Sequence, residues 1–176
     1  MSTSVQEQRL RRRFELWDQN GDGVIDSSDW ESETQRILAS FQQTEGSPKG
    51  QALTTAYRGM WSYVAEQAGV GRDGSVSIDQ FKDVAAKQML DRGQAGFDQV
   101  LRPTVSAIAD LCDTDGDGQV SPSEFRSWIR AIGSDESTAD AAFQQIDTDG
   151  DGQLSVDELI DAVHRYHTGE LEFSLL

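Results

Sequence analysis

Apolar residues in this chain recur at intervals of three and four, on both sides of four short segments rich in aspartate and glycine. Phe14 and Trp17 precede the first segment, and Trp30, Ile37 and Phe41 follow it. This spacing places hydrophobic side chains on one face of a helix, so that each helix buries one stripe against a common core. The pattern predicts an all-α protein of four helix–loop–helix units. The other three segments have Trp61, Val64 and Ala68 before and Phe81, Val84 and Met89 after; Val105, Ile108 and Cys112 before and Phe125, Trp128, Ile129 and Ile132 after; and Phe143 and Ile146 before and Leu159, Val163 and Tyr166 after.

The four segments are copies of one twelve-residue repeat, which we call loops one to four in chain order. Loop three, DTDGDGQVSPSE at 113–124, and loop four, DTDGDGQLSVDE at 147–158, are nearly identical and begin 34 residues apart. Loop one is a weaker copy, DQNGDGVIDSSD at 18–29. Loop two, GVGRDGSVSIDQ at 69–80, aligns through its Asp-Gly pair and its valine. A repeat of this length indicates one supersecondary unit used four times.

Loops three and four have the residues of an EF-hand calcium loop at every ligand position. Such a loop binds Ca²⁺ through side chains at positions 1, 3, 5, 9 and 12 and the carbonyl of position 7, with glycine at the sharp turn of position 6. An isolated Asp-Gly-rich stretch is also typical of a solvated turn, but two full matches between amphipathic helices favour metal binding. The predicted ligands are Asp113, Asp115, Asp117, the Gln119 carbonyl, Ser121 and Glu124 in loop three, and Asp147, Asp149, Asp151, the Gln153 carbonyl, Ser155 and Glu158 in loop four.

Loop one has the same pattern with a shorter acid at its end. Position 12 is Asp29, one methylene shorter than glutamate, so bidentate coordination requires the loop to draw inward. We expect weaker calcium selectivity and more tolerance of Mg²⁺, which is smaller and prefers monodentate oxygens. The predicted ligands are Asp18, Asn20, Asp22, the Val24 carbonyl, Asp26 and Asp29. The chain is therefore expected to bind three Ca²⁺ ions, with Mg²⁺ competing at 18–29.

Loop two lacks the charge to bind calcium. Positions 1, 3 and 5 are Gly69, Gly71 and Asp73, and position 12 is Gln80, so a single carboxylate is left at those four positions. One carboxylate is too little to strip the hydration water from Ca²⁺. Loop two keeps Val76 at position 8, where paired EF-hands join through a short strand. We predict that it is an empty structural partner of loop one.

The repeats group into an N-terminal pair at 1–92 and a C-terminal pair at 93–176. The connection DRGQAG at 91–96 is short, and a linker marked by glycine, serine and proline falls around 44–51. Ser121 and Ser155 begin capping-box sequences, so each loop is expected to end where a helix starts. Pro103 is predicted to begin or kink the helix that enters loop three.

Composition excludes several function classes. The formal charge of −16 and the pI near 4.3 argue against nucleic-acid binding, which depends on lysine and arginine neutralising phosphates. The sequence has no apolar run that could serve as a signal peptide or span a bilayer, so we expect a cytoplasmic protein without membrane contacts. The single cysteine, Cys112, agrees with a reducing compartment and is most simply a small core residue.

The whole chain resembles the bacterial calerythrin family, which is similar to the sarcoplasmic calcium-binding proteins of invertebrates. The resemblance rests on RRRFELWDQNGDG in the first unit, GVGRDGSVS in the second and the closing segment HTGELEFSLL. Three active loops and a silent second loop are the pattern of that family. The resemblance implies two EF-hand lobes packed face to face as one compact protein, and a role in calcium buffering or transport.

Two functional alternatives compete with a calcium buffer. A calcium sensor exposes a groove, often rich in methionine, to a partner helix; here only Met60 and Met89 lie inside the chain and the connection between the pairs is short, so a monomeric buffer is favoured and no protein partner is identified. An enzyme is not expected, because the chain has neither a nucleophile motif nor a phosphate-binding glycine loop. A transition-metal site at His164 and His167 is a weaker interpretation than surface histidines at a helix end.

The cluster of Arg9, Arg11, Arg12 and Arg13 is open to two interpretations. It is typical of a patch for a membrane or an acidic partner. Leu10, Phe14 and Trp17 alternate with it at helical spacing, which favours a solvated face of the first helix.

Overall fold

A computed structural model of the chain describes residues 2–132 and 135–172, except for the side chains of residues 2–4, 89 and 90. The side chain of Met89 and the last four residues of the closing segment therefore lie outside the described parts. The described chain is helical and confirms the predicted all-α fold. Its elements are α1 (Ser2–Trp17), β1 (Val24–Ile25), α2 (Ser27–Ser40), α3 (Pro48–Ala68), β2 (Val76–Ser77), α4 (Ile78–Ala85) continued by a π-helix (Ala86–Leu90), α5 (Gly93–Cys112), α6 (Pro122–Ala131), a 3₁₀ turn (Glu136–Thr138), α7 (Ala139–Ile146) and α8 (Val156–Thr168).

The helix that leaves each loop begins at a capping box formed by the loop's own residues. The predicted boxes at Ser121 and Ser155 are confirmed, and Asp26 and Ser77 make the same reciprocal bonds at the starts of α2 and α4. The capping side chain accepts a backbone N–H at the third helical position, and the side chain there accepts the N–H of the capping residue. Position 9 of a loop therefore sets the direction of the exit helix, and position 12 lies in its first turn.

Two prolines differ in how they affect the helices. Pro48 is the first residue of α3, whose Ser47 cap accepts the Gly50 N–H, so the linker ends there. Pro103 lies inside α5, so the helix does not begin there, and a kink at this proline stays a prediction. The ring removes one donor from the helix, but Leu101, Thr104 and Val105 around it are buried in the core. Packing of that face outweighs the local cost of the proline.

Loops pair through position 8, as the repeat predicts. Strand β1 is antiparallel to β2, with Ile25 opposite Val76, and an isolated bridge joins Val120 to Leu154. In that bridge each residue donates its N–H to the other's carbonyl, at 2.9 and 2.8 Å. All four of these residues are buried, with at most 2% of their surface exposed. Loop two is thus the structural partner of loop one.

One hydrophobic core runs through the described part of the chain. Helix α5 lies at its centre, against α3 of the first pair and α8 of the second, and α1 packs on α8. Along the chain, the turn at Asp91 and Arg92 joins the two pairs, between the π-helix and α5. Separate units at 1–92 and 93–176 stay a prediction, but their apolar faces are buried against each other. No helix in the described residues has the length and apolar character to cross a membrane.

Candidate metal centres

Loop three brings four carboxylates together. Oxygens of Asp113, Asp115, Asp117 and Glu124 all lie within 4.8 Å of one another. The first three come from the loop, and the fourth from the first turn of α6, where 5% of its surface is exposed. Four oxygens at this separation form a cradle suited to a hard divalent cation.

Glycines with positive φ shape the loop around its first aspartate. Gly116 and Gly118 have φ of 77° and 78°, a left-handed conformation that residues with a Cβ rarely adopt. Their N–H groups donate to the two oxygens of Asp113, both at 2.8 Å. The N–H groups of Asp117 and Gln119 donate in turn to the carboxylates of positions 3 and 5, at 3.2 and 2.9 Å. These bonds fix the orientation of three carboxylates.

The carboxylate at position 12 is held by backbone amides of the same loop. Glu124 accepts the N–H of Thr114 at 2.6 Å on one oxygen and the N–H of Ser121 at 2.9 Å on the other. The Thr114 hydroxyl adds a third bond at 2.9 Å. These bonds orient the Glu124 carboxylate towards the loop. Thr114, at position 2, is a supporting residue that the ligand pattern alone did not identify.

Loop four repeats this arrangement with one difference. Asp147, Asp149 and Asp151 have oxygens within 4.8 Å of one another, and Glu158 is not part of that cluster. Glu158 is still held by the loop: it accepts the N–H of Thr148 at 3.0 Å and the N–H of Ser155 at 2.9 Å. The Gly152 N–H donates to Asp147 at 3.0 Å, the counterpart of the bond from Gly118 in loop three.

Loop one makes the same position-12 hydrogen bonds with its shorter acid, but its carboxylates are not among the acidic clusters of the described residues. Asp29 accepts the N–H of Gln19 on one oxygen and that of Asp26 on the other, both at 3.0 Å, so it bonds positions 2 and 9 as the glutamates do. The Gly23 N–H donates to Asp18 at 2.9 Å. Because position 3 is Asn20 and position 9 is Asp26, the loop distributes its charge differently from loops three and four.

Hydrogen bonds, burial and neighbouring charges shift the pKa values of the loop acids, some downward and some upward. Hydrogen bonds, first of all from the Gly118 N–H, lower the pKa of Asp113. The Asp117 N–H also stabilises the Asp115 carboxylate, but proton sharing with Asp113 and the charges of Asp117 and Glu124 outweigh it and raise the pKa of Asp115. Burial, assisted by the charge of Asp26, raises the pKa of Asp29. At Asp115 and Asp29 the charged form is therefore disfavoured unless a cation neutralises it, whereas the Asp113 carboxylate is already stabilised by the loop.

Loop two has a different backbone. Its positive-φ residues are Gly69 and Gly71 at positions 1 and 3, whereas Gly74 at position 6 is not among them. A Cβ on Gly74 would lie 2.3 Å from the Val70 carbonyl oxygen, so this glycine permits a close approach of two backbone segments. In the described part of the chain, the acidic metal clusters lie in loops three and four and none lies in loop two.

Two expectations about basic residues were wrong in part: His167 does not lie at the surface, and Arg13 does not lie on the solvated face of α1. His167 is buried, packs 5.9 Å from Phe97 between ring centroids, and forms no metal cluster with His164 in the described residues. Arg13 is 4% exposed and lies 5.4 Å from the centre of the Trp17 ring, and Arg9 lies 4.3 Å from that of Tyr166. The apolar stripe of α1 is wide enough to include these long side chains, which bury their stems beside Leu10 and Phe14. Arg11 and Arg12 are exposed, as a solvated face requires. Cys112 is buried, as expected of a core residue.

Comparison with known proteins agrees with this geometry. The EF-hand domain pair profile matches residues 110–164, and the EF hand profile matches residues 10–32. Calerythrin from Saccharopolyspora erythraea is 40% identical over 176 residues, covering 100% of this chain and 99% of the relative. The chain belongs to the calerythrin family. This member of the family is also similar to the sarcoplasmic calcium-binding protein beta chain of Penaeus sp., 28% identical over 134 residues and covering 74% of this chain and 70% of the relative.

Solved structures support the same assignment of the family's fold. A Streptomyces coelicolor calcium-binding protein, described in connection with prokaryotic calcium-mediated regulation, superposes with a TM-score of 0.77 at 33% identity, over 93% of this chain and 98% of that one. Calcium-loaded apo-aequorin from Aequorea victoria superposes with a TM-score of 0.72 at 19% identity, over 97% and 92% of the two chains. At that identity the second likeness shows the fold alone.

Proposed function

We propose that this calerythrin-family protein binds three Ca²⁺ ions and acts as a calcium buffer or transporter in the cytoplasm. The observation that carries the proposal is the cluster of four carboxylates in loop three, each of which accepts hydrogen bonds from backbone amides of the same loop. Loop four has the same ligand residues, and loop one bonds its Asp29 through the equivalent amides.

The ions bind through the residues named from the loop pattern. Positions 1, 3, 5 and 12 supply carboxylate or amide oxygens, position 7 supplies the carbonyls of Val24, Gln119 and Gln153, and position 9 supplies Asp26, Ser121 and Ser155. Mg²⁺ competes with Ca²⁺ for loop one, because the short Asp29 side chain suits a smaller ion with monodentate ligands. Loop two binds no ion.

Burial of the apolar faces favours a buffer over a sensor. The core is continuous between the two pairs, and Met60 is 6% exposed within it. Among the described residues, Leu16 is the large hydrophobic side chain that is exposed, at 43%. A sensor needs an apolar groove that becomes accessible when calcium binds. In this fold α3 of the first pair packs on α5 of the second, so that apolar surface of both pairs is buried in one core.

Calcium-dependent regulation of a partner is the second candidate. It is favoured by the likeness to the Streptomyces coelicolor protein, at 33% identity over nearly the whole chain. That function requires a surface that differs between the calcium-bound and calcium-free states.

Isothermal titration and a hydrophobic-surface assay separate these candidates. Metal-free protein titrated with Ca²⁺ should saturate at three equivalents, and prior saturation with Mg²⁺ should weaken one of the three. A stoichiometry of two would show that loop one does not bind Ca²⁺, and a stoichiometry of four would show that loop two does. A buffer should bind less of a dye for apolar surface when calcium is present. Calcium-dependent retention on a hydrophobic column would instead support the regulator.

A further inference from the structure

A lysine of the first pair lies at the entrance of loop three. Helix α5 ends at Cys112, and its C-cap residue Asp113 is also position 1 of the loop. The last carbonyls of a helix have no partner within the helix. Lys49, in the first turn of α3, donates from Nζ to the Asp113 carbonyl oxygen at 2.6 Å. The side chain is half-buried. A positive charge is therefore held at a residue whose carboxylate belongs to the metal cradle.

The positive charge of Lys49 is not neutralised by an ion pair with an aspartate or glutamate among the described residues. Within the described residues, no carboxylate oxygen lies within 4.0 Å of the Lys49 nitrogen as an ion pair, whereas Lys87 is paired with Asp83 at 2.8 Å. The field of the Lys49 ammonium therefore acts on loop three without cancellation by a neighbour. It attracts the crowded carboxylates when the loop is empty and repels an incoming dication.

Loop four is an internal comparison, because its ligand residues are the same as those of loop three. Two cations lie near loop four. Arg102 contacts Asp157 at position 11 of the loop, and its charge is offset by that acid and by Asp98. Arg165 donates from Nη1 to the Gln145 carbonyl at 3.1 Å, two residues before Asp147. Arg165 also lies 3.7 Å from Asp161, which offsets its charge. The ligand sets are equal, so a difference in affinity between the two loops must come from their surroundings.

We propose that Lys49 lowers the calcium affinity of loop three, so that loop four is the tighter of two sites with the same ligand set. Lys49 is thus a residue of the first EF-hand pair that sets the affinity of a site in the second. Two unit charges 4 Å apart in water interact strongly enough to change an affinity about fivefold. A dication and a unit charge interact to the same extent at about twice that distance. The inference rests on the proposed function, since it requires calcium at loop three.

Lys49→Met removes the charge and keeps most of the apolar stem, so it is the decisive variant. Lys49→Arg keeps the charge. Arg36→Met is a matched control for a lost contact between the pairs: Arg36 Nη1 donates to the Ala131 carbonyl at 2.6 Å, at the far end of α6 from the loop. Lys87→Met makes the same change in net charge on the surface of the first pair.

Nuclear magnetic resonance of the full chain gives each loop its own reporter. The Gly118 and Gly152 N–H groups donate to the position-1 carboxylates of loops three and four, so their amide shifts respond when an ion polarises those carboxylates. In the wild type at low salt, the Gly152 signal should move at a lower free calcium concentration than the Gly118 signal. In Lys49→Met the Gly118 midpoint should fall about fivefold, and the Gly152 midpoint should move less than twofold.

The remaining variants and salt decide whether the effect is electrostatic. Lys49→Arg, Arg36→Met and Lys87→Met should leave the Gly118 midpoint within about twofold, and 1 M KCl should remove most of the Lys49→Met effect, because the screening length is then about 3 Å. An unchanged or raised Gly118 midpoint in Lys49→Met would overturn the inference while calcium binding at loop three stands. If the Gly118 signal does not respond to calcium, and Glu124→Gln keeps three equivalents, the proposed function at loop three fails instead.

Discussion

The buried imidazole of His167 makes a sharp prediction about acid stability. His167 is 4% exposed, and its Nδ1 has no hydrogen-bond partner among the described residues. Burial, followed by the positive charges of Arg13 and Arg9 and the neighbouring His164, lowers the pKa of His167 from 6.5 to about 3. The perturbation we consider is His167→Phe, which keeps a ring against Phe97 and removes the titrating group.

The magnitude follows from proton linkage. Above pH 6.5 the ring is neutral in both the folded and the unfolded chain; below it the unfolded chain binds a proton, and the folded chain does so only near pH 3. The folded pKa is depressed, so stability is present above pH 6.5 and is lost as the pH falls towards 3. Each pH unit in that window costs about 1.4 kcal/mol. Between pH 7 and pH 5 the wild type should lose about 2 kcal/mol through His167 alone.

Urea unfolding of the calcium-saturated proteins at pH 7 and pH 5 measures this loss. Titration of the loop carboxylates is common to wild type and variant, so it cancels in the difference between them. His167→Phe should be at least as stable as wild type at pH 7, because it removes an unpaired polar atom. Between pH 7 and pH 5 its free energy of unfolding should fall by about 2 kcal/mol less than that of the wild type. Equal slopes for His167→Phe and wild type would refute the assignment of a neutral, buried imidazole.

Three further outcomes are expected. Glu124→Gln and Glu158→Gln should each reduce the calorimetric stoichiometry from three to two, because an amide cannot supply the charged bidentate ligand; three equivalents in either variant would contradict its ligand role. Gly118→Ala, at φ 78°, should lower the free energy of unfolding by about 1–2 kcal/mol, whereas Gly59→Ala on the exposed side of α3 should raise it by up to about 1 kcal/mol, both measured by thermal unfolding. Chelation should reduce the near-ultraviolet circular dichroism, because three bound ions change the formal charge from −16 to −10; an unchanged spectrum and melting temperature would show a self-sufficient core.

Local sequence determined the parts of this protein that repeat. The ligand positions, the glycine turns and the capping residues all lie within one twelve-residue segment, so their bonds join residues at most ten apart, such as Thr114 and Glu124. A pattern of that range is readable without knowing what surrounds it. The pairing of Ile25 with Val76 was predictable for the same reason, because position 8 has one role in every copy.

Tertiary packing decided what lies against each repeat. Helical spacing places Arg13 on the same face as Leu10 and Trp17, but Arg13 is buried only because α8 covers that side of α1, while Arg12 stays exposed. The burial of His167 depends on Phe97, seventy residues away in α5, and the contact of Lys49 with Asp113 joins residues 64 positions apart. Pro103 continues a helix because the core holds both sides of it. Sequence determined which atoms can bind calcium, because those contacts are short-range; the fold decided which charges surround them, because electrostatic and packing energies depend on distance in space rather than along the chain.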